Sequence, residues 1–595
     1  MQEPLALSWN LDSIFAGGSK SPEFSGFLAD LKNKVSEFHK KVTMNDELKI
    51  NISADEFIGL IELMQSMNQQ FKESESFVGC LSAQDQADKE AVLISGQIKE
   101  LYADYLSALT LFDQGLTNIE DSRWHSFMQL DDLLPVAFAL NERRDLRKDR
   151  MSPELESLSS NLAVDGYHAW GELYNTIVGT MKIPFEEDGQ LNQLSAGQAA
   201  NKLSHANRGI RSKMFLQWEE AWSRQADFCA DALNHLAGFR LQLYKHRGWE
   251  SVHKEPLEIN RMSAETLRVM WEVIEKNRSV FVDYLQRKAE LLGLEQLGWV
   301  DVDAPVGQTA KQYTFDEAAE FIIEQFRKFS PRMADFAAEA FRNRWIEAED
   351  RPGKRPGGFC TSFPIKEQTR IFMTFAGTSS NVSTLAHELG HAYHQHVMND
   401  LPGLVQDYAM NVAETASTFA ELIVSSAAVK MAESQEEQLV MLEDKIQRSV
   451  AFFMNIHARF LFESNFYQAR SKGLVSVAQL NEMMEQAQKT AFSNALSDYH
   501  PHFWASKLHF YLTDVPFYNF PYTFGYMFSA GIYAKALHEE GFEQKYIELL
   551  RDTGRMSAEA LARKHLDVDL TKPDFWQSAM DLAIADVKQF LDMTS

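Results

Sequence analysis

Apolar residues recur every three or four positions along most of this chain, the period of a helix buried along one face. Phe27, Leu28, Leu31, Val35, Phe38 and Val42 form one such stripe. Ser21-Pro22 ahead of it supplies a cap and a first helical position. Ser53 with Glu56, Ser195 with Gln198 and Thr314 with Glu317 have capping-box spacing, so helices are predicted to start at each. The same period predicts helices over 84–115, 117–142, 196–246 and 263–293, and from Thr314 to Ala348.

Two stretches break the helical period. Residues 178–194 read as two short strands about Asp188-Gly189. Residues 359–363 and 370–375 read as two strands joined by 364–369. The first break divides the chain into an N-terminal helical lobe, 1–180, and a remainder, 181–595, that carries the chemistry. The second hairpin either offers an exposed edge to an extended peptide backbone or is simply packed on helices.

Composition narrows the function classes. Only 16 prolines in 595 residues favour long helices. A net charge of −26 repels phosphate backbones and anionic headgroups, which argues against nucleic-acid and membrane partners. The three cysteines, Cys80, Cys229 and Cys360, are far apart and predict neither disulfides nor a thiolate metal site. The first residues lack the charge and apolar pattern of a signal peptide, and a cytoplasmic location is expected. The basic loop 351–358 lacks the ending of a phosphate-binding loop. Nothing in the sequence sets the oligomeric state.

The chemistry concentrates in Thr384-Leu-Ala-His387-Glu388-Leu-Gly-His391-Ala-Tyr-His394. On a helix, predicted here over 382–398, His387 and His391 lie one turn apart on one face and can point two imidazoles at one metal ion. Glu388 is next to them, placed to handle a proton on water. Random sequence with 17 His and at most 84 Glu gives roughly 0.07 such matches. A catalytic zinc needs a third ligand. His394 shares the rigid helix and is read as a packing or supporting residue, and His396 as solvated. Glu414, at the start of a second helix after the Pro402-Gly403 stop, is the better candidate. Glu421, two turns on, is placed to accept a hydrogen bond from a ligand histidine or to serve as a surface charge.

The run Phe375-Ala-Gly-Thr-Ser-Ser-Asn-Val-Ser-Thr-Leu-Ala-His-Glu-Leu-Gly-His391, followed by Val412-Ala-Glu-Thr-Ala-Ser-Thr-Phe-Ala-Glu421, resembles oligoendopeptidase F of the thimet oligopeptidase group. Trp9-Asn-Leu-Asp-Ser-Ile-Phe15 and the turn near Asp188 extend the resemblance over nearly the whole chain. The resemblance implies a mainly α fold, with two helical lobes around a deep channel and a small sheet beside the zinc helix. It implies one Zn2+ per chain on His387, His391 and Glu414, with Glu388 as general base. It also points to a histidine and tyrosines downstream as oxyanion donors. His509 matches the histidine, and Tyr522 and Tyr526 share a helical face after Pro521; Tyr518 and Gly377 are assigned to substrate binding. The implied activity is hydrolysis of internal bonds in short unfolded peptides. A carboxypeptidase or dipeptidyl carboxypeptidase on the same scaffold, and a non-catalytic peptide-binding protein, are the alternatives.

Overall fold

Side-chain caps set where the helices begin. In the computed structural model, which describes residues 4–44, 52–187, 189–307, 311–355 and 357–595, all three predicted capping boxes are closed. They open helices Ala54–Gln84, Ala196–Leu203 and Phe315–Phe329. Asp188 of the predicted turn lies outside the described residues.

Several long predicted helices are divided. The one expected from Thr314 to Ala348 stops at Phe329, where Ser330 caps a second helix, Pro331–Arg342. Pro331 has no N–H to continue the first helix but fits the first turn of the next. The stretch 84–115 straddles a break: Ala54–Gln84 ends there, and Asp88 caps Lys89–Asn118. The stretch 117–142 holds a short helix Asp121–Phe127, a 3-10 turn at Leu134–Val136 that contains Pro135, and the start of Ala137–Lys148.

The sheets are small. Ile183–Glu187 pairs antiparallel with Gln190–Leu194, beginning five residues later than expected because helix Ala169–Thr180 runs up to it. In the second sheet, the central strand Gln368–Phe372 pairs antiparallel with Phe359–Phe363 and parallel with the two-residue strand Ile346–Glu347. Its register puts Phe359 opposite Phe372 and Phe363 opposite Gln368, so the second strand starts two residues earlier than predicted.

Three helices and this sheet position the site. Ser379–His396 (the histidine helix) packs on Met410–Met431 (the glutamate helix), which packs on Phe520–Ala536 (the tyrosine helix). Glycines allow the close approach. A Cβ on Gly390 would lie 2.5 Å from the Ala416 carbonyl oxygen, and one on Gly525 would lie 3.0 Å from Glu414 Cβ. Ser529 Oγ on the tyrosine helix donates to the carbonyls of Glu414 and Thr415 at 3.1 and 3.2 Å. The glutamate helix is long and apolar enough by composition to cross a membrane, with a mean hydropathy of 1.2 over its best window. It carries Glu414 and Glu421 and is sandwiched between helices, as a central helix of a large core is.

The N-terminal lobe is knitted to the catalytic sheet. Asn10 N donates to Arg344 O at 2.7 Å, Arg370 Nη2 to Asn10 O at 2.8 Å, and Ile365 N to Glu73 at 3.1 Å. Ser76 Oγ and Thr361 Oγ1 are 2.7 Å apart. At the other end Tyr174 stacks on Tyr511 and donates to Ala505 O at 2.9 Å. One contiguous apolar core therefore crosses residue 180.

Candidate metal centre

Thr378 caps the histidine helix by accepting from Asn381 N at 3.2 Å, so the helix begins three residues earlier than predicted. The four-residue spacing then sets the His387 and His391 rings 4.9 Å apart and nearly perpendicular. The glutamate helix brings Glu414 up to both. Its Oε2 is 3.2 Å from His387 Nε2 and 3.5 Å from His391 Nε2. One donor atom from each of the three residues lies within 4.8 Å of the others. Two imidazole nitrogens and one carboxylate oxygen at this separation fit a single divalent ion, and zinc suits that donor set with a position left over.

The electrostatics favour ligand protonation states. Burial pushes His391 down to about 4, toward the neutral imidazole that binds metals. Burial opposes ionisation of Glu414, yet the hydrogen bond from His387, the charges of His391 and His387 and the Ser417 hydroxyl hold it down to about 2. Ser417 Oγ donates to Glu414 Oε2 at 2.7 Å, and one helical turn separates the two residues. Behind His387, Nδ1 faces Glu421 Oε2 at 3.1 Å, which leaves Nε2 free as the donor atom. The other Glu421 oxygen pairs with Arg448, which also bonds Asp444 at 2.9 Å. His394 points away: its Nε2 meets Thr553 Oγ1 at 2.9 Å and its ring stacks on Tyr408. His396 is exposed, with its ring against Phe336.

Glu388 is 7% exposed, and its Oε2 has no hydrogen-bond partner among the described residues. Burial, with the neighbouring Glu414 charge, raises its carboxyl to about 7 against the opposing influence of His387. A carboxyl balanced near neutrality can both accept and return a proton. Gly358, just ahead of edge strand Phe359–Phe363, sits so that its Cβ would be 3.6 Å from Glu388 Oε1. Backbone can therefore approach the carboxylate closely there.

The downstream aromatic residues divide. His509, Tyr518 and Tyr522 form one cluster, with ring centroids 5.3 Å apart for His509–Tyr518 and 5.1 Å for Tyr518–Tyr522. His509 Nδ1 is buried without a partner among the described residues. Tyr522 is near enough to Glu414 for that charge to add to burial in raising its phenol. Tyr526 is placed differently: its hydroxyl is 2.9 Å from Ser449 Oγ and its ring stacks on Phe452 at 4.6 Å. Gly377 adopts a left-handed turn (φ 81°), and its carbonyl accepts from Tyr313 N at 2.8 Å just before the histidine helix.

Sequence reading missed the residues that hold these groups. Glu463 accepts from Phe517 N at 3.2 Å and Asn519 Nδ2 at 2.6 Å, pinning the loop that leads into the tyrosine helix. Phe517 has φ 54°, a strained value for a bulky residue. Arg448 and Glu463 have no distinguishing local pattern, since each meets a partner distant in sequence, Glu421 and Phe517.

The family model for peptidase family M3 matches residues 202–582, and that for oligopeptidase F matches 116–183. The chain belongs to peptidase family M3, and it is a metalloendopeptidase with the mainly helical fold of the oligoendopeptidase F enzymes. An oligoendopeptidase F homologue of Lactococcus lactis subsp. lactis (strain IL1403) is 21% identical over 590 residues, covering 97% of this chain and 95% of its own. The solved oligoendopeptidase F of Enterococcus faecium matches with a TM-score of 0.71 at 17% identity, over 96% of this chain and 98% of that one. A provisionally assigned peptidase of Chlamydophila abortus matches with a TM-score of 0.84 at 18% identity, over 98% of each chain.

Proposed function

We propose that the chain is a zinc-dependent oligoendopeptidase that cuts internal bonds of short unfolded peptides in the cytoplasm, with one ion on His387, His391 and Glu414. The convergence of those three donors from two helices is the observation that carries the reading. Zinc held there supplies Lewis acidity and lowers the pKa of water toward about 7.

The protein's own residues do the remaining work. An extended peptide backbone lies along edge strand Phe359–Phe363, which leads from Gly358 beside Glu388. Glu388 takes the proton of the attacking water and returns it to the leaving amine, a role its carboxyl near neutrality suits. His509 and Tyr522 donate to the oxygen on which charge develops. Tyr518 and Gly377 contact substrate, and Tyr526 is the more remote donor candidate, since Ser449 already engages its hydroxyl. Glu421 and Arg448 keep the His387 tautomer fixed.

The test is mass mapping of a peptide library whose members carry free or blocked termini, with holoenzyme, chelated enzyme and remetallated enzyme. Internal cleavage that survives blocked termini and follows the metal is the expected result. Cleavage confined to residues next to a free C-terminus would replace this reading with a carboxypeptidase. Absence of cleavage in the holoenzyme would leave a peptide-binding protein.

A further inference from the structure

Two cations beside the His509–Tyr522 cluster are left unneutralised. Arg459 is on helix Ile456–Arg470, and Lys507 joins Phe503–Ser506 to Leu508–Phe510. Both lie over the buried Phe503 ring, with the guanidinium carbon 5.3 Å and the ammonium nitrogen 4.8 Å from its centroid. One apolar platform thus holds two positive charges at fixed places. Arg459 uses only Nε, which donates to Asn455 Oδ1 at 2.9 Å. Its terminal nitrogens and the Lys507 ammonium have no hydrogen bond or ion pair among the described residues. Both side chains are half-buried rather than spread into solvent.

Burial disfavours both charges, taking Arg459 to about 10 and Lys507, with repulsion from Arg459, to about 8. Asp303 is the acid whose charge reaches both, and it forms an ion pair with neither. Like-charged neighbours that lack a counter-ion are costly, and more so in a protein of net charge −26 with acids to spare. The pair also bears on the proposed site. Arg459 and Lys507 both help depress His509, after burial, to about 4, and Arg459 couples to Tyr522, which couples to Glu414. An arginine fork next to a lysine point charge is the chemistry that binds a carboxylate.

We propose that Arg459 and Lys507 form a carboxylate subsite that anchors a peptide substrate through its C-terminal carboxylate or an acidic side chain. The proposal rests on the peptidase reading and adds a substrate class to it. Anchoring one carboxylate at a fixed place determines which bond reaches the metal. Cut sites therefore fall at a constant spacing from that carboxylate.

The test uses one peptide in four forms: a free acid with no internal acid, its C-terminal amide, the amide with one internal Glu, and the same with Gln. Holoenzyme is compared with Arg459→Gln, Lys507→Gln and Arg459→Lys. The wild type should favour a carboxylate form by at least about tenfold in kcat/KM, mostly through KM. The ratio should fall close to one in both Gln variants and be intermediate in Arg459→Lys. Preference for the free acid assigns the C-terminus, and preference for the internal Glu assigns the side chain. Inhibition of wild type by an acetylated dipeptide acid, but not its amide, gives the same answer without any variant. Equal kcat/KM across the four forms overturns the subsite alone. A preference that survives in both Gln variants overturns it too. A holoenzyme that cleaves none of the four defeats the peptidase reading beneath it.

Discussion

Two glutamates of one site, Glu388 buried and Glu414 half-buried, are driven in opposite directions. Glu414 is held down to about 2 because, against burial, His387, His391 and Ser417 all favour its anion. Glu388 is raised to about 7 because burial and the Glu414 charge outweigh His387. Environment thus separates a carboxylate held as an anion from a carboxyl balanced near neutrality, as the proposed proton transfer requires. Glu388→Gln should lower kcat by about 10²–10⁴ with metal content unchanged, as read by a stopped assay and elemental analysis. Glu421→Ala should weaken metal affinity by about 10–100-fold, in a competition titration against a chromophoric chelator, because His387 Nδ1 loses its partner. The convergence of His387, His391 and Glu414 was legible in the sequence, because helical spacing and a second helix limit where donors can go. Arg459 and Lys507 were not, because a lone cation in a sequence carries no record of the ring it lies over.

At the scale of elements, the site depends on how closely two helices approach. Gly390 lies between His387 and His391 on the contact face, where a Cβ would meet Ala416 O at 2.5 Å and Ser417 Cα at 2.6 Å. Both contacts are backbone, so the helices would have to separate. Gly390→Ala should cost about 1–3 kcal/mol in a denaturant titration and loosen the metal, since it moves Glu414 away from both histidines. A second element-level device lies behind His394. Thr553, which meets His394 Nε2, follows Asp552 at the end of helix Phe542–Asp552. Burial opposes ionisation of Asp552, but His565, Lys564 and Arg555 bring it from 3.8 to about 2. A depressed acid adds stability that is complete above its unfolded value and disappears as pH falls through its folded one. Asp552→Asn should therefore be less stable than wild type at pH 6, with the difference shrinking from about pH 4 to about pH 2 in acid-unfolding curves. Capping boxes made helix starts legible, while Pro331 and Pro135 cut helices that apolar periodicity alone ran together. The periodicity reports a buried face and is silent about one residue that lacks an N–H.

For the whole molecule, the boundary drawn at residue 180 marks a change of pattern rather than a gap in packing. Trp9, Phe15 and Phe77 are buried, and Asn10 and Ser76 bond residues of the catalytic sheet. A fragment of residues 181–595 would expose that sheet and lose its partners. It should show a broad, low-temperature melt by circular dichroism and bind a hydrophobic dye, where the full chain melts cooperatively. That the chain is mostly helical was legible in its long stripes and rare proline, while the architecture came from the resemblance. The joining of the lobes was not, because those bonds link residues more than 280 positions apart, such as Ser76 to Thr361.

Every step of the proposed chemistry presumes one ion on donors from two helices. Elemental analysis of purified protein after zinc loading and removal of excess metal, run beside His387→Ala and Glu414→Ala, tests this most directly. The account predicts one zinc per wild-type chain, and far below one in each variant while circular dichroism stays helical. A wild-type chain that retains no zinc, or variants that retain a full equivalent, would contradict it.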